Sequence, residues 1–500
     1  MLPPLFHGTR HAIVSGHPLA SLAGRDVLAR GGSAADAAIA AAAVLAVVLP
    51  QACTLGGDAF ALTYEARTGR ICGLNASGRS GRNAVRRRFD DGIPERGAAA
   101  IAVPGVVDGW GVLHARHGRL PWTSLLAPAI ALADEGFAVS PGLAAATRQY
   151  RALILADDGM QAVIARDQGE LEAGTRWRQP ALARTLAQVA EEGPDTFYRG
   201  AVARSLMTTL EARGAAITAE DLAHHRSQWV EPIVEPYRGL DVALMPPNSY
   251  GLYMALQLRA LVDHPEDLRG ADAVRLGRLI TAMREAFAAG DRRVADPDMQ
   301  AEQPLAARTP PGQPNRGGTA VVSVVDRDGN AAVLVQSIFL LFGSAVADAA
   351  SGVIFNNRMI GFVTTPGHAN EVGPGKRPAH TLNPVIVTRD HSLAYCLGTP
   401  GGPGQTLTLT QVLSGLVDRR MSLPQAIAAP RWSTDLEGEV LIERGFGDAV
   451  LGALNGQGTQ ARFGESTSPF FGSAEIIERR SDGTLVACAD WRREASALAE

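Results

Sequence analysis

A threonine that follows two glycines is the residue of this sequence best placed for covalent chemistry. Thr319 comes directly after Gly317–Gly318 and begins the run TAVVSVVD. A hydroxyl is a weak nucleophile unless a base within hydrogen-bonding reach accepts its proton. An N-terminal threonine carries that base itself, because its α-amine has a pKa of about 7.7–8.0 and exchanges protons near neutral pH. Thr319 is internal, so this chemistry requires cleavage of the Gly318–Thr319 bond; otherwise Thr319 simply begins a strand.

The segments around Thr319 predict how it is presented. Residues 303–318, QPLAARTPPGQPNRGG, contain four prolines and three glycines without an apolar period, which is typical of a flexible, exposed connector. After it, two β-branched runs flank Asp328–Gly329, a strong signal for a β-hairpin. We therefore expect Thr319 at the first position of a buried strand, directly behind a mobile linker.

The composition is that of an ordinary folded protein, and it excludes some classes of function. The chain has 500 residues, 46% of them hydrophobic and 20% charged, which is enough for roughly two to four domain-sized units. Lys+Arg 47 against Asp+Glu 51 gives a net charge of −4, so no basic field is available to bind nucleic acid. The widely separated cysteines form neither a disulfide framework nor a metal knuckle, which fits a reducing compartment. They are Cys53, Cys72, Cys396 and Cys488.

The N-terminal half carries no signal for secretion or for a membrane span. The first residues lack the basic and apolar regions of a secretory signal peptide. The most apolar run, Ala37–Leu49, is shorter than the roughly 20 residues needed to cross a bilayer. Ser33 as an N-cap and Pro50 as a stop predict a buried helix over this run. We expect a cytoplasmic protein without a membrane partner.

Other catalytic chemistries find little support. The sequence contains no GxSxG elbow, no GxxxxGK[ST] phosphate loop and no HExxH zinc helix. His114, His117 and the pair His224–His225 are isolated, which favours surface or capping roles over metal ligation. The glycine-rich segment Gly398–Gly404, GTPGGPG, is either a turn or a source of backbone N–H groups for a developing oxyanion. A hydroxyl, an amine and backbone donors suffice for acyl transfer, so we predict neither a metal nor a cofactor.

Nine separated segments, in this order, resemble the γ-glutamyltranspeptidase family of self-cleaving N-terminal-nucleophile hydrolases over nearly the whole chain. The single lysine of the sequence, Lys376, falls inside one of them. The segments are HPLASLAGRDVLARGGSAADAAIAAAAVL (from His17), LGGDAF (from Leu55), VPGVVDGW (from Val103), LPWTSLLAPAIALADEGF (from Leu120), MPPNSYG (from Met245), DRRVADPD (from Asp291), TAVVSVVDRDGN (from Thr319), GKRP (from Gly375) and GTPGGPG (from Gly398).

The resemblance implies an α+β protein with a four-layer αββα sandwich, made as an inactive precursor. Cleavage before Thr319 would give a large subunit, 1–318, and a small subunit, 319–500, in one intertwined catalytic fold. A dimer of such heterodimers is compatible with the resemblance. By position, Thr319 is the nucleophile and its freed amine the base. Ser337 matches a hydroxyl that hydrogen-bonds the nucleophile and assists maturation, and Gly401 and Gly402 supply the oxyanion hole. Water, or an amine in transpeptidation, would resolve the acyl-enzyme.

The sequence departs from the family pattern where glutathione-specific members hold the substrate. Their α-amino group is bound by an Asn, a Gln and an Asp, and the matching positions here are Phe339, Arg358 and Gly361. A serine pair that holds the α-carboxylate is replaced by His380–Thr381. Arg358 can bind a carboxylate bidentately, and His380 and Thr381 can still hydrogen-bond one. Arg79, in ASGRS, is a further candidate for binding a carboxylate.

These substitutions predict a small amide substrate whose acyl part carries a carboxylate but no α-ammonium group. The segments QSIF…FGS, NNR and RPAHTLNP are closest to the oxamate-amidohydrolase-like branch of the family. Oxamate-like and glutaryl- or γ-glutamyl-like amides fit this description. Two alternatives stay open at this point: a true glutathione hydrolase or γ-glutamyltransferase, and a catalytically silent member that serves as a binding subunit.

Overall fold

The computed structural model of the chain describes residues 2–165, 170–299, 317–435, 438–465 and 468–500. Within these ranges the helices are α1 (Pro18–Ala29), α2 (Ala34–Val48), α3 (Val106–His117), α4 (Trp122–Glu135), α5 (Pro141–Gln149), α6 (Arg151–Leu155), α7 (Asp158–Met160), α8 (Pro180–Glu192), α9 (Asp195–Arg199), α10 (Ala201–Ala212), α11 (Ala219–Ala223), α12 (Gly251–Leu261), α13 (Pro265–Arg269), α14 (Asp272–Gly290), α15 (Gln405–Val417), α16 (Leu423–Ala428) and α17 (Asp448–Gly456).

The strands of the same ranges are β1 (Phe6–Gly8), β2 (Ala12–Ser15), β3 (Asp58–Glu65), β4 (Arg70–Ala76), β5 (Phe137–Ala138), β6 (Arg176–Trp177), β7 (Gln228–Val230), β8 (Ile233–Tyr237), β9 (Leu240–Leu244), β10 (Gly317–Val325), β11 (Ala331–Leu340), β12 (Ala347–Asp348), β13 (Val353–Ile354), β14 (Val385–Arg389), β15 (Ser392–Gly398), β16 (Trp432–Thr434), β17 (Val440–Glu443), β18 (Ala461–Gly464), β19 (Glu475–Arg479), β20 (Leu485–Ala489) and β21 (Ser496–Ala499). Two seven-stranded sheets contain most of them. Sheet I has the order β1-β20-β19-β15-β14-β9-β8, and sheet II has the order β21-β2-β10-β11-β3-β4-β7.

Three apolar layers separate the two sheets from each other and from the helices. Side chains such as Val321, Val333 and Ile386 fill the space between the sheets. Helices α1 and α2 pack on the outer face of sheet II, helices α12 and α15 pack on the outer face of sheet I, and α14 packs against α12. This arrangement confirms the predicted four-layer αββα sandwich of the N-terminal-nucleophile type.

Helix α2 is buried along its whole length between sheet II and its neighbouring helices. The Ser33 hydroxyl accepts a hydrogen bond from the Asp36 N–H, and the Asp36 carboxylate accepts one from the Ser33 N–H, which forms a capping box. The apolar run that begins at Ala37 therefore forms a buried core helix, as predicted from the sequence. Among the described residues, no helix is long and apolar enough to cross a membrane.

The predicted hairpin is formed by β10 and β11, which pair antiparallel around the turn at Asp328–Gly329. The strand begins at Gly317, so Thr319 is its third residue and not its first. Of the predicted linker, residues 303–316 lie outside the described residues, and Gly317 and Gly318 already belong to the strand. The register shifts at this end: Gly318 pairs with Phe339 and Ala320 with Gln336, which leaves Thr319 opposite two residues of β11.

Strands from both sides of residue 318 alternate in both sheets. In sheet II, β10 and β11 lie between β2 and β3, which come from the N-terminal part of the chain. In sheet I, β14 pairs with β9 in the same way. The two segments that cleavage would separate therefore form one continuous fold.

Candidate active site

The peptide bond before Thr319 lies at one end of sheet II, and Ser337 contacts it directly. Thr319 is only 4% exposed, and Ser337 is 1% exposed. The Ser337 hydroxyl donates a hydrogen bond to the Gly318 carbonyl oxygen and accepts one from the Phe339 N–H at 2.7 Å. The family resemblance implied a hydrogen bond from Ser337 to the nucleophile; the structure places the bond on the Gly318 carbonyl oxygen, in the peptide bond that self-cleavage would break. Because both hydrogen bonds run toward that carbonyl, they polarise it for nucleophilic attack.

We expect Ser337→Ala to slow self-cleavage by on the order of 100-fold, the effect of losing one donor to a developing oxyanion. The rate is measured as the disappearance of the full-length chain on a denaturing gel. Ser337→Thr keeps the hydroxyl and should cleave. Ser323→Ala is a matched control, since Ser323 is a buried serine of β10 whose hydroxyl bonds the Glu475 carbonyl instead. Equal cleavage rates in Ser337→Ala and wild type would contradict this role.

The glycine-rich segment after β15 approaches the same strand. Gly401 and Gly402 are buried and have φ angles of +134° and +54°, conformations that favour glycine. The turn Gly402–Gly404 packs against β10, and α15 starts at the next residue, Gln405. Backbone N–H groups and the positive end of a helix therefore lie beside the strand that carries Thr319, an arrangement that could stabilise an oxyanion there.

A buried carboxylate of sheet II lies next to Ser337 and binds two side chains from segments outside the sheets. Asp58 begins β3 and pairs with Ser337 across the sheet. Its Oδ2 accepts hydrogen bonds from Arg358 Nε at 3.1 Å and from His380 Nε2 at 3.2 Å, and its Oδ1 accepts one from the Gly78 N–H at 3.0 Å. Asp58, Arg358 and His380 are all 0% exposed. Burial raises the pKa of Asp58, but the hydrogen bond from His380 and the charge of Arg358 outweigh it and hold this pKa below its usual value.

Sequence analysis missed Asp58, which the structure places in contact with the predicted site residues Arg358 and His380. It lies in the segment LGGDAF, which contributed to the family resemblance but not to the candidate site. An acidic residue at the first position of a buried strand indicates a partner elsewhere in the fold, because a buried carboxylate needs a hydrogen-bond donor or a positive charge.

Arg358 presents one unoccupied edge of its guanidinium group. Nε is bound to Asp58, and the plane of the group stacks on the Phe339 ring at 4.4 Å from the ring centroid. Within the part of the chain that the structure describes, Nη1 and Nη2 have no hydrogen-bond partner, although both are buried. Burial lowers the pKa of Arg358 to about 10 against the opposing effect of Asp58, so the group remains protonated at neutral pH. The Thr381 hydroxyl is also buried and lacks a partner among the described residues.

His380 fixes the other side of Asp58 as a neutral imidazole. The Leu382 N–H donates to Nδ1 at 3.3 Å, so Nε2 carries the proton that it donates to Asp58. Burial and the charge of Arg358 lower the pKa of His380 to about 4, although Asp58 acts in the opposite direction. His380 therefore acts as a hydrogen-bond donor to Asp58 and not as a cation.

This low pKa predicts an acid-sensitive fold. In the unfolded chain the imidazole titrates at its usual pKa of 6.5, so the folded state binds fewer protons between pH 6.5 and 4. The stability that neutral His380 contributes is complete above pH 6.5 and is lost as the pH falls toward 4, by about 3 kcal/mol in total. We expect His380→Asn to flatten the dependence of the unfolding free energy on pH in this range. His224→Asn, at an exposed position, should leave that dependence as in wild type.

Two positions of the predicted substrate site serve other contacts. Arg79 is bound to two carboxylates, with Nη1 2.6 Å from Asp296 Oδ2 and Nη2 2.6 Å from Asp298 Oδ2, so its guanidinium is already paired. At Gly361, a Cβ atom would come within 2.5 Å of the Ala379 carbonyl oxygen. The turn therefore has no room for the carboxylate that glutathione-specific members carry at this position.

The remaining candidates for chemistry are structural. The Lys376 ammonium donates to the carbonyl oxygens of Ala369 and Glu371 and so ties down the preceding loop. His114 contacts the Leu120 carbonyl oxygen at 2.9 Å, and His225 stacks on Tyr198. Within the described ranges, no group of three or more His, Cys, Asp or Glu side chains is arranged to hold a metal ion.

Comparison with known proteins identifies the family of this chain. The gamma-glutamyltranspeptidase family model matches residues 20–311 and 300–500. The glutathione hydrolase-like YwrD proenzyme of Bacillus subtilis (strain 168) is 33% identical over 518 residues, covering 98% of both chains. The oxamate amidohydrolase proenzyme of Klebsiella pneumoniae is 32% identical over 523 residues, also covering 98% of both.

Among solved structures, a cephalosporin acylase from Bacillus halodurans matches 99% of this chain with 97% of its own, at a TM-score of 0.91 and 29% identity. These three relatives carry three different activity names: glutathione hydrolase-like, oxamate amidohydrolase and cephalosporin acylase. The fold, the hairpin with its threonine and the family match lead to one conclusion: the chain belongs to the gamma-glutamyltranspeptidase family of amide hydrolases and acyltransferases.

Proposed function

We propose that this protein is a self-processing amidohydrolase for small amides whose acyl part ends in a carboxylate, such as oxamate-like or glutaryl-like amides. The observation that carries the proposal is the buried Arg358 guanidinium, whose Nη1 and Nη2 have no hydrogen-bond partner among the described residues. Two parallel N–H donors on a planar cation match the two oxygens of a carboxylate. An acceptor group of the substrate would supply the hydrogen bonds that these buried donors lack.

Self-cleavage would generate the catalytic group. Thr319 Oγ adds to the Gly318 carbonyl carbon, which Ser337 polarises. The C–N bond then breaks as the Thr319 nitrogen takes up the proton of the hydroxyl, and water hydrolyses the resulting ester. The products are a chain ending at Gly318 and a chain that begins with Thr319 and carries a free α-amine.

Amide hydrolysis would use the same atoms. The Thr319 α-amine accepts the Oγ proton as Oγ attacks the amide carbon of the substrate, and the N–H groups at Gly401 and Gly402 stabilise the oxyanion. The protonated amine then donates its proton to the leaving nitrogen. Water, activated by the same amine, cleaves the acyl ester and restores the enzyme.

The site disfavours an α-ammonium group for three reasons. Arg358 is a cation at a position where glutathione-specific members carry an amide. Both oxygens of Asp58 are already occupied by donors of the protein. Gly361 has no side chain and no space for one. Loss of a desolvated charge partner costs about 2–5 kcal/mol, which is more than tenfold in affinity.

A matched pair of substrates tests the proposal. Glutaryl-anilide and γ-glutamyl-anilide share the carboxylate and the leaving group and differ in the α-ammonium. We expect kcat/KM for glutaryl-anilide to exceed that for γ-glutamyl-anilide by more than about tenfold, and oxamate to release ammonia. Efficient γ-glutamyl turnover with oxamate inert would overturn the proposal in favour of a glutathione hydrolase. Self-cleavage without turnover of any amide would overturn it in favour of a binding subunit.

A further inference from the structure

Phe339 connects the bond that self-cleavage breaks to the arginine of the substrate site. Its N–H donates to Ser337 Oγ, whose hydroxyl donates to the Gly318 carbonyl oxygen. Its ring, 5% exposed, lies under the Arg358 guanidinium at 4.4 Å. One residue thus touches both functions, the first through its backbone and the second through its side chain.

The backbone of Phe339 adopts a conformation that an aromatic residue rarely takes. Its φ angle is +75°, in the left-handed region that favours glycine and asparagine. The residue follows the register shift at which Thr319 faces two residues of β11. A positive φ at Phe339 sets the direction in which the chain continues to Leu340 while the Phe339 N–H points back to Ser337, two residues earlier. Strain of this kind persists only where the surrounding structure enforces it.

The Phe339 ring, in turn, determines which edge of Arg358 is free. Asp58 binds the Nε edge and the ring covers one face, so the group can rotate little without losing one of the two contacts. A cation over an aromatic face is attracted to it, most strongly when both are desolvated. Of the three guanidinium nitrogens of Arg358, Nη1 and Nη2 then remain available to a ligand, because neither has a hydrogen-bond partner among the described residues.

We infer that Phe339 is a positioning residue with two separable roles: its left-handed backbone holds Ser337 on the Gly318 carbonyl for self-cleavage, and its ring holds Arg358 for substrate binding. The second role rests on the function proposed above, whereas the first does not. The two roles can be separated, because asparagine and glycine accept a left-handed backbone but have no aromatic ring, whereas valine resists that backbone.

Three substitutions test the backbone role, with self-cleavage followed by intact mass spectrometry. Phe339→Val should slow self-cleavage at least tenfold, and Phe339→Asn should slow it no more than threefold. Phe339→Tyr keeps the ring and should behave as wild type. Wild-type cleavage by Phe339→Val, or a block in Phe339→Asn equal to that in Phe339→Val, would overturn this role. If Phe339→Val does not fold, Phe339→Gly replaces it in the comparison: cleavage as slow as in Ser337→Ala would overturn the role, and near-wild-type cleavage would support it.

Phe342→Val is the matched control for strain alone. Phe342 is a buried phenylalanine of the same segment with a φ of +62°, and its N–H bonds the Gln51 carbonyl and not Ser337. This variant should lower the melting temperature while the folded protein cleaves within threefold of wild type. A loss of cleavage as large as that of Phe339→Val would show that strain anywhere in the segment suffices, and would overturn the inference.

The ring role is tested on processed protein with the anilide pair. Phe339→Asn should raise KM for glutaryl-anilide at least fivefold while kcat changes less than threefold, because Arg358 loses its support but the nucleophile does not. An unchanged KM would overturn the ring role. Arg358→Gln, tested on the same substrates, separates the proposed substrate class from the backbone role of Phe339. If this variant keeps the preference for glutaryl-anilide, the proposed substrate class fails. The self-cleavage rates of the Phe339 variants still decide the backbone role.

Discussion

A Thr319→Ala variant is expected to remain a single 500-residue chain and to hydrolyse no amide above background, a loss of at least about 10³-fold in kcat. Alanine removes the attacking oxygen from both reactions. It also leaves the Gly318–Thr319 bond uncut, so the α-amine that serves as base never forms. Both losses follow from one substitution at a position that is 4% exposed, and the smaller side chain fits without displacing its neighbours.

The measurement is a denaturing gel with intact mass spectrometry of purified protein over time. Wild type should yield two fragments, residues 1–318 and 319–500, and only these. Thr319→Ser retains a hydroxyl and should cleave and turn over amides, which separates loss of the nucleophile from loss of the fold. A wild-type chain that stays whole yet hydrolyses amides, or one cut elsewhere, would contradict the mechanism.

An Arg358→Gln variant is expected to lose at least about 30-fold in kcat/KM for glutaryl-anilide, which corresponds to about 2 kcal/mol or more. The loss should appear mainly in KM, because Arg358 would bind a part of the acyl group that does not react. For γ-glutamyl-anilide the change should be smaller, since removal of the cation also removes its repulsion of the α-ammonium. The selectivity between the two anilides is therefore the quantity to measure.

Two further variants control for structure and charge. Arg79→Gln removes a guanidinium that is already paired with Asp296 and Asp298, so kcat/KM should stay within about threefold of wild type. Arg358→Lys keeps a positive charge but loses the planar fork and should recover only part of the activity. Equal losses in Arg79→Gln and Arg358→Gln would mean that a general loss of positive charge, and not the free edge of Arg358, explains the effect.

Local signals predicted most of the elements that build the site. The apolar run from Ala37 became α2, with Ser33 as its N-cap as predicted. The hairpin around Asp328–Gly329 followed from two β-branched runs and a turn dipeptide. These features depend on neighbouring residues, and a sequence shows them directly.

The contacts that distinguish this site could not be predicted in the same way, because they join distant residues. Asp58 and Arg358 are 300 positions apart, and His380, which lies in the segment before β14, is 322 positions from Asp58. The pairing of Arg79 with Asp296 and Asp298 depends equally on how the loops pack. Sequence identified Arg358 as a cation in a changed pocket, but only the structure shows which of its nitrogens remain free.

The interleaving of strands in both sheets has a consequence for the processed protein. Strand β10 is hydrogen-bonded to β2 on one side and to β11 on the other, and β11 is bonded to β3. After the cut, the fragments would share a hydrophobic interior much as a single polypeptide does, so dilution should not dissociate them. Unfolding and dissociation should therefore coincide in one concentration-dependent transition. The new N-terminus would form within a structure that is already folded, so the two fragments would not have to find each other.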